Sequence, residues 1–459
     1  MRAALAALVV LVVVGLVGCS NEGQRNLNGS SEPLGLSSVS LEGIVPVCED
    51  LFGSTFGAAN SEPLGACQWD MALIDVPSFG GGEIATGKGV TVGLIDGGID
   101  FDHPDIAPNV DVDRSCSFIF DDTPTAMEEE IANGDCSNKD AVADAFGHGT
   151  AVGSIVAAPV NGIGIAGVAP EATLVALKAC TTAGYCFADS VAAALRYAAD
   201  EGIDVVNMSL YADPYLYYCG SEPEQRAILR ELQAAARYAQ RKGVVIVAAA
   251  TNELIDLQHP VLDVLSPEWP PDAAQERTVH NQCRVLPAEL PGVLTVSSTG
   301  PVGVPGYAQW IASESAVGMS RIDVAAPGGD YFAATGTAQD GVLAAVPVGS
   351  VLWDWLDSMS SELPGVTVFE DGVGYAFLTG TSIATPHAAG VAALVRQAHS
   401  DWGSGAVVAA VRASATHLDC PADWEPLDAS DERARCYGHG GRTSFFGFGL
   451  VDAEAASMR

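Results

Sequence analysis

Short, mainly apolar runs recur along this chain from about residue 90 onward, interspersed with segments of helical periodicity. The runs 90–95, 173–178, 204–208, 244–250 and 293–297 lack the polar alternation of a strand with one wet face, so both faces must be covered. The segments 188–199, 224–241, 382–399 and 406–413 carry the three- and four-residue spacing of helices. Strands buried on both faces and alternating with helices predict an α/β fold of three layers, a mostly parallel central sheet with helices on both faces. Two acidic stretches, 111–144 and 352–374, interrupt the pattern and read as surface insertions. No internal repeat is visible, and one domain is predicted over 68–459.

The N-terminus is different in kind. Arg2 followed by the apolar run 3–17 fits a secretory signal, and the run is too short and too near the terminus for a spanning helix. It ends Leu16-Val17-Gly18-Cys19 and turns polar at Ser20-Asn21-Glu22, which resembles a bacterial lipobox with Cys19 as the acylated residue. An ordinary signal peptide cut nearby, or an uncleaved anchor, is the plainer alternative. Residues 1–18 are therefore read as the signal. Residues 19–67, rich in Gly, Ser and Asn, read as a tether or short pro-segment. The expected location lies across the cytoplasmic membrane, facing the periplasm or cell exterior, with contact to the membrane only through the N-terminal lipid.

Cysteine usage agrees with export. Eleven cysteines leave an even number once Cys19 is set aside, as disulfides in an oxidising compartment require. Spacing suggests pairing of neighbours in order, Cys48–Cys67, Cys116–Cys136, Cys180–Cys186, Cys219–Cys283 and Cys420–Cys436, although spacing alone leaves the connectivity open. No Cys-x-x-Cys pair or ligand-spaced His accompanies them, which disfavours a metal cluster. A net charge of −36 repels nucleic acid and sets that partner aside. The same charge attracts basic peptides, and it equally serves the solubility of a monomer. The run Glu128-Glu129-Glu130 reads as part of a solvated face.

Three segments carry chemistry. Asp96, in Leu94-Ile95-Asp96-Gly97-Gly98, ends a buried strand, where catalytic groups of open α/β sheets gather. His148 stands between two glycines just before an apolar helical run. Ser382, in Thr379-Gly380-Thr381-Ser382-Ile383-Ala384-Thr385-Pro386-His387, opens a helix rich in small residues, exposed to the positive end of the backbone dipole. Singly these are a turn, a loop histidine and a helix cap. Jointly, in the chain order Asp, His, Ser, they form a nucleophile, its base and the orienting acid.

With their flanks, these residues resemble the subtilisin-like serine proteases, and the resemblance covers nearly everything after residue 67. It extends to His103-Pro104-Asp105, Gly167-Val168-Ala169-Pro170, Val205-Val206-Asn207-Met208-Ser209-Leu210, Asp323-Val324-Ala325-Ala326-Pro327-Gly328 and Phe448-Gly449-Leu450-Val451-Asp452-Ala453. It implies an endopeptidase of extracytoplasmic proteins or peptides that works through an acyl-enzyme, with Asn252 as oxyanion donor and no cofactor for catalysis. It also implies that substrate adds as a strand between two edges, 182–185 and 209–211, which makes Gly184, Ser209, Leu210 and Tyr211 the binding residues. The loop 159–165 matches the length of the family's calcium loop, with Asn161 and Asp105 as the expected ligands of a structural calcium. Three departures stand out: Gly97 where a hydroxyl residue is usual, Ala151 in place of a second His, and Thr251 in place of a Gly beside Asn252. The competing function is a lipid-anchored, catalytically weak or inactive binding or scaffold protein on the same fold. An esterase of another fold would need a Gly-x-Ser-x-Gly elbow, and the segment around Ser382 has none.

Overall fold

A computed structural model describes residues 38–76, 85–304, 311–331, 334–421 and 435–458. The signal, Cys19 and the first part of the expected tether lie outside the described residues.

The central sheet has seven strands: β1 (Thr91–Asp96), β2 (Cys116–Ser117), β3 (Thr173–Lys178), β4 (Val205–Met208), β5 (Val245–Ala249), β6 (Leu294–Thr299) and β7 (Val324–Pro327). Their order is β7-β6-β5-β4-β1-β3-β2, and the ladders between them are parallel. The five apolar runs read from the sequence are five of these strands. From β1 the chain passes to β2 and β3 on one side and then to β4 on the other, so the strand order reverses at β1. A crevice opens at such a reversal, outside the carboxyl ends of the strands, and Asp96 is the last residue of β1.

Alternate strand residues feed two cores. Val92, Leu94, Val205 and Val247 join the cluster that includes α3 (His148–Ala157) and α7 (Thr381–Ala398). Ile95, Val206, Met208 and Ile246 join the one under α4 (Ala188–Asp200) and α5 (Pro223–Arg241). That is the expected three-layer architecture. None of the helices among the described residues is long and apolar enough to cross a membrane.

Three expectations need correction. Over its described part, the stretch 19–67, expected to be a tether or short pro-segment, packs onto the domain and is not a free tether: α1 (Leu41–Phe52) buries Ile44, Cys48 and Phe52, and it is followed, just inside the expected domain, by α2 (Trp69–Leu73). Burying Ile44 and Phe52 alone contributes roughly 3–6 kcal/mol, enough to overcome the flexible composition around them. The Cys48–Cys67 disulfide closes the segment on itself. The acidic stretch 352–374 is only superficially an insertion. With its flanks it supplies α6 (Val351–Ser358) and most of a second, antiparallel sheet in the order β8 (Val342–Ala345), β10 (Val373–Leu378), β9 (Thr367–Glu370). Trp353, Leu356, Val366 and Val368 face the core while the carboxylates face out. The stretch 111–144, likewise, provides edge strand β2, and Glu130 is not on a solvated face. It is 3% exposed and pairs with Lys178, itself 1% exposed, at 3.1 Å. A buried ammonium needs a countercharge, and the acidic run supplies it.

Five disulfides close in the order expected from neighbour spacing.

Candidate active site

Asp96 leaves β1 into a turn where the Gly97 N–H donates to its Oδ1 at 2.7 Å. His148 is the first residue of α3, and its Nδ1 lies 2.9 and 3.0 Å from the two Asp96 oxygens. With a carboxylate at Nδ1 the proton resides there, which leaves Nε2 as the basic nitrogen. The approach requires a glycine: a Cβ at Gly149 would sit 2.1 Å from the Gly98 carbonyl oxygen.

Asp144 is a residue of the candidate site that the sequence reading missed. It is buried, and it accepts from the Gly147 N–H at 2.8 Å, the Thr150 N–H at 2.8 Å and the Thr150 hydroxyl at 2.7 Å. An acid four residues ahead of His148, at a helix start, is a legible signal. Burial disfavours a charged His148, but the Asp96 carboxylate, by charge and hydrogen bond, and then Asp144 outweigh it and hold the imidazole above its ordinary 6.5. A base of raised pKa loses its free form as pH falls through that pKa. The acid limb of a kcat/KM profile is therefore expected above pH 6.5, and Asp144→Asn should move it lower. A limb that stays put would remove Asp144 from the site's electrostatics.

Ser382 is the second residue of α7, and Gly380, at φ 138°, turns the chain into that helix. A Cβ on Gly380 would lie 3.1 Å from Ser382 Oγ and 3.3 Å from Asn252 Nδ2, so hydroxyl and amide flank one small space. Asn252 is aimed by its other end: its Oδ1 accepts from the Thr381 N–H and the Thr381 hydroxyl, both at 2.8 Å. Beside it, Thr251 adopts φ 98°, a strained conformation for a β-branched residue, held by its N–H donating to Thr381 Oγ1 at 3.2 Å. The departure from Gly is thus accommodated as backbone strain while Asn252 keeps its contacts. Among the described residues no hydrogen bond joins His148 to Ser382. Such contacts commonly tighten only when substrate is present.

Pro386, four residues after Ser382, has no N–H to give the Ser382 carbonyl. The Ser209 hydroxyl donates to that carbonyl instead, at 2.6 Å. Further along α7, His387 Nε2 lies 3.0 Å from Asp70 Oδ2, both fully buried, which pins the helix to α2.

Of the expected substrate edges, the first is a turn closed by Cys180–Cys186, with the Gly184 N–H donating to the Thr181 carbonyl at 2.8 Å. Glu130 accepts from the Thr182 N–H and hydroxyl, both at 2.7 Å, so the buried Lys178–Glu130 pair fixes this edge. On the second edge Ser209 reaches the Ser382 backbone, Leu210 turns into the core, and the Tyr211 hydroxyl donates to Glu268 Oε1.

Asp105 and Asn161 also come together. Asp105 is fully buried; its Oδ2 accepts from the Ile165 N–H at 2.9 Å and the Tyr375 hydroxyl at 3.0 Å, and its Oδ1 has no partner. Burial pushes this carboxyl up to about 8, against hydrogen bonds that include one from Asn161. Gln68 and Glu62, not anticipated, hold the same loop: Gln68 Oε1 accepts from the Ala166 N–H at 3.1 Å and Glu62 Oε2 from the Gly162 N–H at 2.7 Å. No cluster of three or more His, Cys, Asp or Glu with metal-holding geometry occurs among the described residues.

Comparison with known proteins gives one answer. The subtilase family matches residues 87–449. Subtilisin NAT of Bacillus subtilis subsp. natto is 28% identical over 373 residues, which cover 81% of this chain and 67% of that protein. The epidermin leader peptide processing serine protease of Staphylococcus aureus shares the fold with a TM-score of 0.58 at 21% identity, covering 86% of this chain and 81% of its own. The nisin leader peptidase of Lactococcus lactis superposes with a TM-score of 0.53 at 21% identity, over 77% and 90%.

Proposed function

The chain belongs to the subtilase family and is a serine endopeptidase, and we propose that Asp96, His148 and Ser382 are its catalytic triad with Asn252 as oxyanion donor. The observation that carries this assignment is the paired contact of His148 Nδ1 with Asp96, in a chain where Ser382 Oγ and Asn252 Nδ2 flank the space beside Gly380. Asp96 holds the tautomer that frees Nε2, and it stabilises the imidazolium that forms. His148 takes the Ser382 proton as the hydroxyl oxygen attacks the peptide carbonyl, and returns it to the leaving amine. The oxyanion receives Asn252 Nδ2–H and the Ser382 N–H, which is free because it lies in the first turn of α7. Water then attacks the acyl-enzyme by the same proton path in reverse.

Substrates are peptides or proteins met outside the cytoplasm, in keeping with five disulfides and secreted relatives. A dedicated role, trimming one secreted precursor, is supported by the leader-processing neighbours and by Tyr211, tied to Glu268 at the edge of the cleft. Incubation of the purified protein with a diverse peptide library, read by mass spectrometry, tests both levels. Cleavage at one motif supports precursor processing, cleavage at many sites supports general proteolysis, and no cleavage favours the scaffold.

A structural calcium fits the Asp105 loop. The unpartnered, buried Asp105 Oδ1 wants a cation, and Asn161, Gln68 and loop carbonyls are hard oxygen donors of the kind calcium takes. Its chemistry there is neutralisation and rigidity, remote from the reacting atoms. Calcium at about 100 times its Kd stabilises by about 2.7 kcal/mol, an expected rise of a few degrees in Tm by scanning fluorimetry over a chelator control. Asp105→Asn should abolish that rise, and an equal rise in the variant would remove Asp105 as a ligand.

A further inference from the structure

Three carboxylates stand beside the site with no part in the triad chemistry. Glu253 directly follows Asn252, Asp213 lies two residues beyond the second substrate edge, and Glu268 comes from the segment between β5 and β6. They converge. Asp213 is 3% exposed, and its Oδ2 accepts at 2.6 Å from the N–H of Cys186, the residue that follows the first edge. Glu268, 9% exposed, accepts from Tyr211 on the second edge and faces Asp213. Asp213 Oδ1 is buried and receives no donor.

Among the described residues, no Lys, Arg or His pairs with any of the three. The nearby Arg277 is committed to Asp263 at 2.6 Å. Burial, then the charge of Glu268, pushes Glu253 up to about 7, and burial also holds Asp213 well above its ordinary value. Two buried carboxyls face to face cannot both stay ionised without a positive charge between them. With the cleft empty a shared proton fills that role. The surroundings suit a larger occupant: Tyr185, next to Gly184, meets Trp269 edge-on at 5.7 Å, so aromatic rings frame the carboxylates. A guanidinium stacks on such rings and donates in a fork to two carboxylates at once.

We propose that Asp213, Glu268 and Glu253 form a cation-binding wall that selects substrates carrying Arg or Lys in the stretch held between the two edges. An apolar side chain in that place leaves the shared proton where it is and forgoes the charged hydrogen bonds that a guanidinium or ammonium would make to Asp213 and Glu268. The net charge of −36 draws the same substrates to the cleft. The proposal rests on the peptidase reading and adds to it the substrate class.

The test is a set of peptides with a single Arg moved through the four positions on either side of the cleaved bond, each compared with Leu at the same place. At one position kcat/KM for Arg should exceed that for Leu by about 100-fold, the worth of one or two charged hydrogen bonds. The ratio should fall at least tenfold in Glu268→Gln and in Asp213→Asn. Being a ratio within one protein, it is insensitive to the fraction folded. Glu253→Gln, at a less buried residue, serves if the other two fail to fold. Ratios within threefold at every position, or a ratio unchanged in the variants, overturn the wall. Failure of the peptidase reading looks different, since the wild type would then neither cut any peptide nor be labelled by a fluorophosphonate.

Discussion

Replacing Ser382 with Ala is expected to lower kcat by about 10⁶-fold, and His148→Ala should cost as much. Both figures take their size from the same deletions in a subtilisin. The double variant should be no worse than either single one, because base and nucleophile act only as a pair. What survives is the catalysis of a site that still binds and still stabilises an oxyanion, about 10³–10⁴ over water. Stopped assays with a peptide cut by the wild type, beside fluorophosphonate labelling, measure this directly. Independent, multiplying losses would show that His148 does not serve Ser382. A Ser382→Ala protein that still cuts would place the nucleophile elsewhere.

Asn252→Leu should lower kcat by about 10²–10³-fold with little change in KM, since the amide acts on charge that exists only in the transition state. The magnitude is again that known for a subtilisin. Leucine also forfeits the two bonds that Asn252 Oδ1 receives from Thr381, so a loss on its own would be ambiguous. Asn252→Asp separates the effects, because a carboxylate can keep both Thr381 bonds while it replaces the donor with a negative charge that opposes the oxyanion. Loss in both variants assigns the amide to the oxyanion. Activity retained in the Asp variant would mean that Asn252 merely steadies Thr381 at the start of α7.

The strands and the proposed reacting residues were legible because their signals are local. A strand covered on both faces, such as 173–178, is written as an apolar run, Leu174 to Leu177, between a Thr and a Lys, and the observed strand has those bounds. Asp96, His148 and Ser382 each sit in a short motif with glycine close by, where close approach leaves little freedom of composition. What escaped is held together across long stretches of sequence. Glu130 was hidden in an acidic run because nothing near it announces Lys178, 48 residues on, as its partner. Trp353 and Leu356 were hidden by the acids around them, and α1 by the Gly and Ser that flank it. Average composition describes the outer face of such segments, while packing is decided by the two or three side chains on the inner one.

The bond from Ser209 to the Ser382 carbonyl bears on how this protein can tolerate change. A proline in the helix of the proposed nucleophile unseats one carbonyl, and the hydroxyl that claims it belongs to the strip proposed to hold substrate. Bench and tool are thereby bolted to one another. A shift of α7 by a few tenths of an ångström would carry the substrate's docking strip along with it, so the distance from scissile carbonyl to Ser382 Oγ would change less than either part moves. Drift accumulated elsewhere in the molecule, through sequence divergence or thermal motion, would reach the reacting atoms already in step.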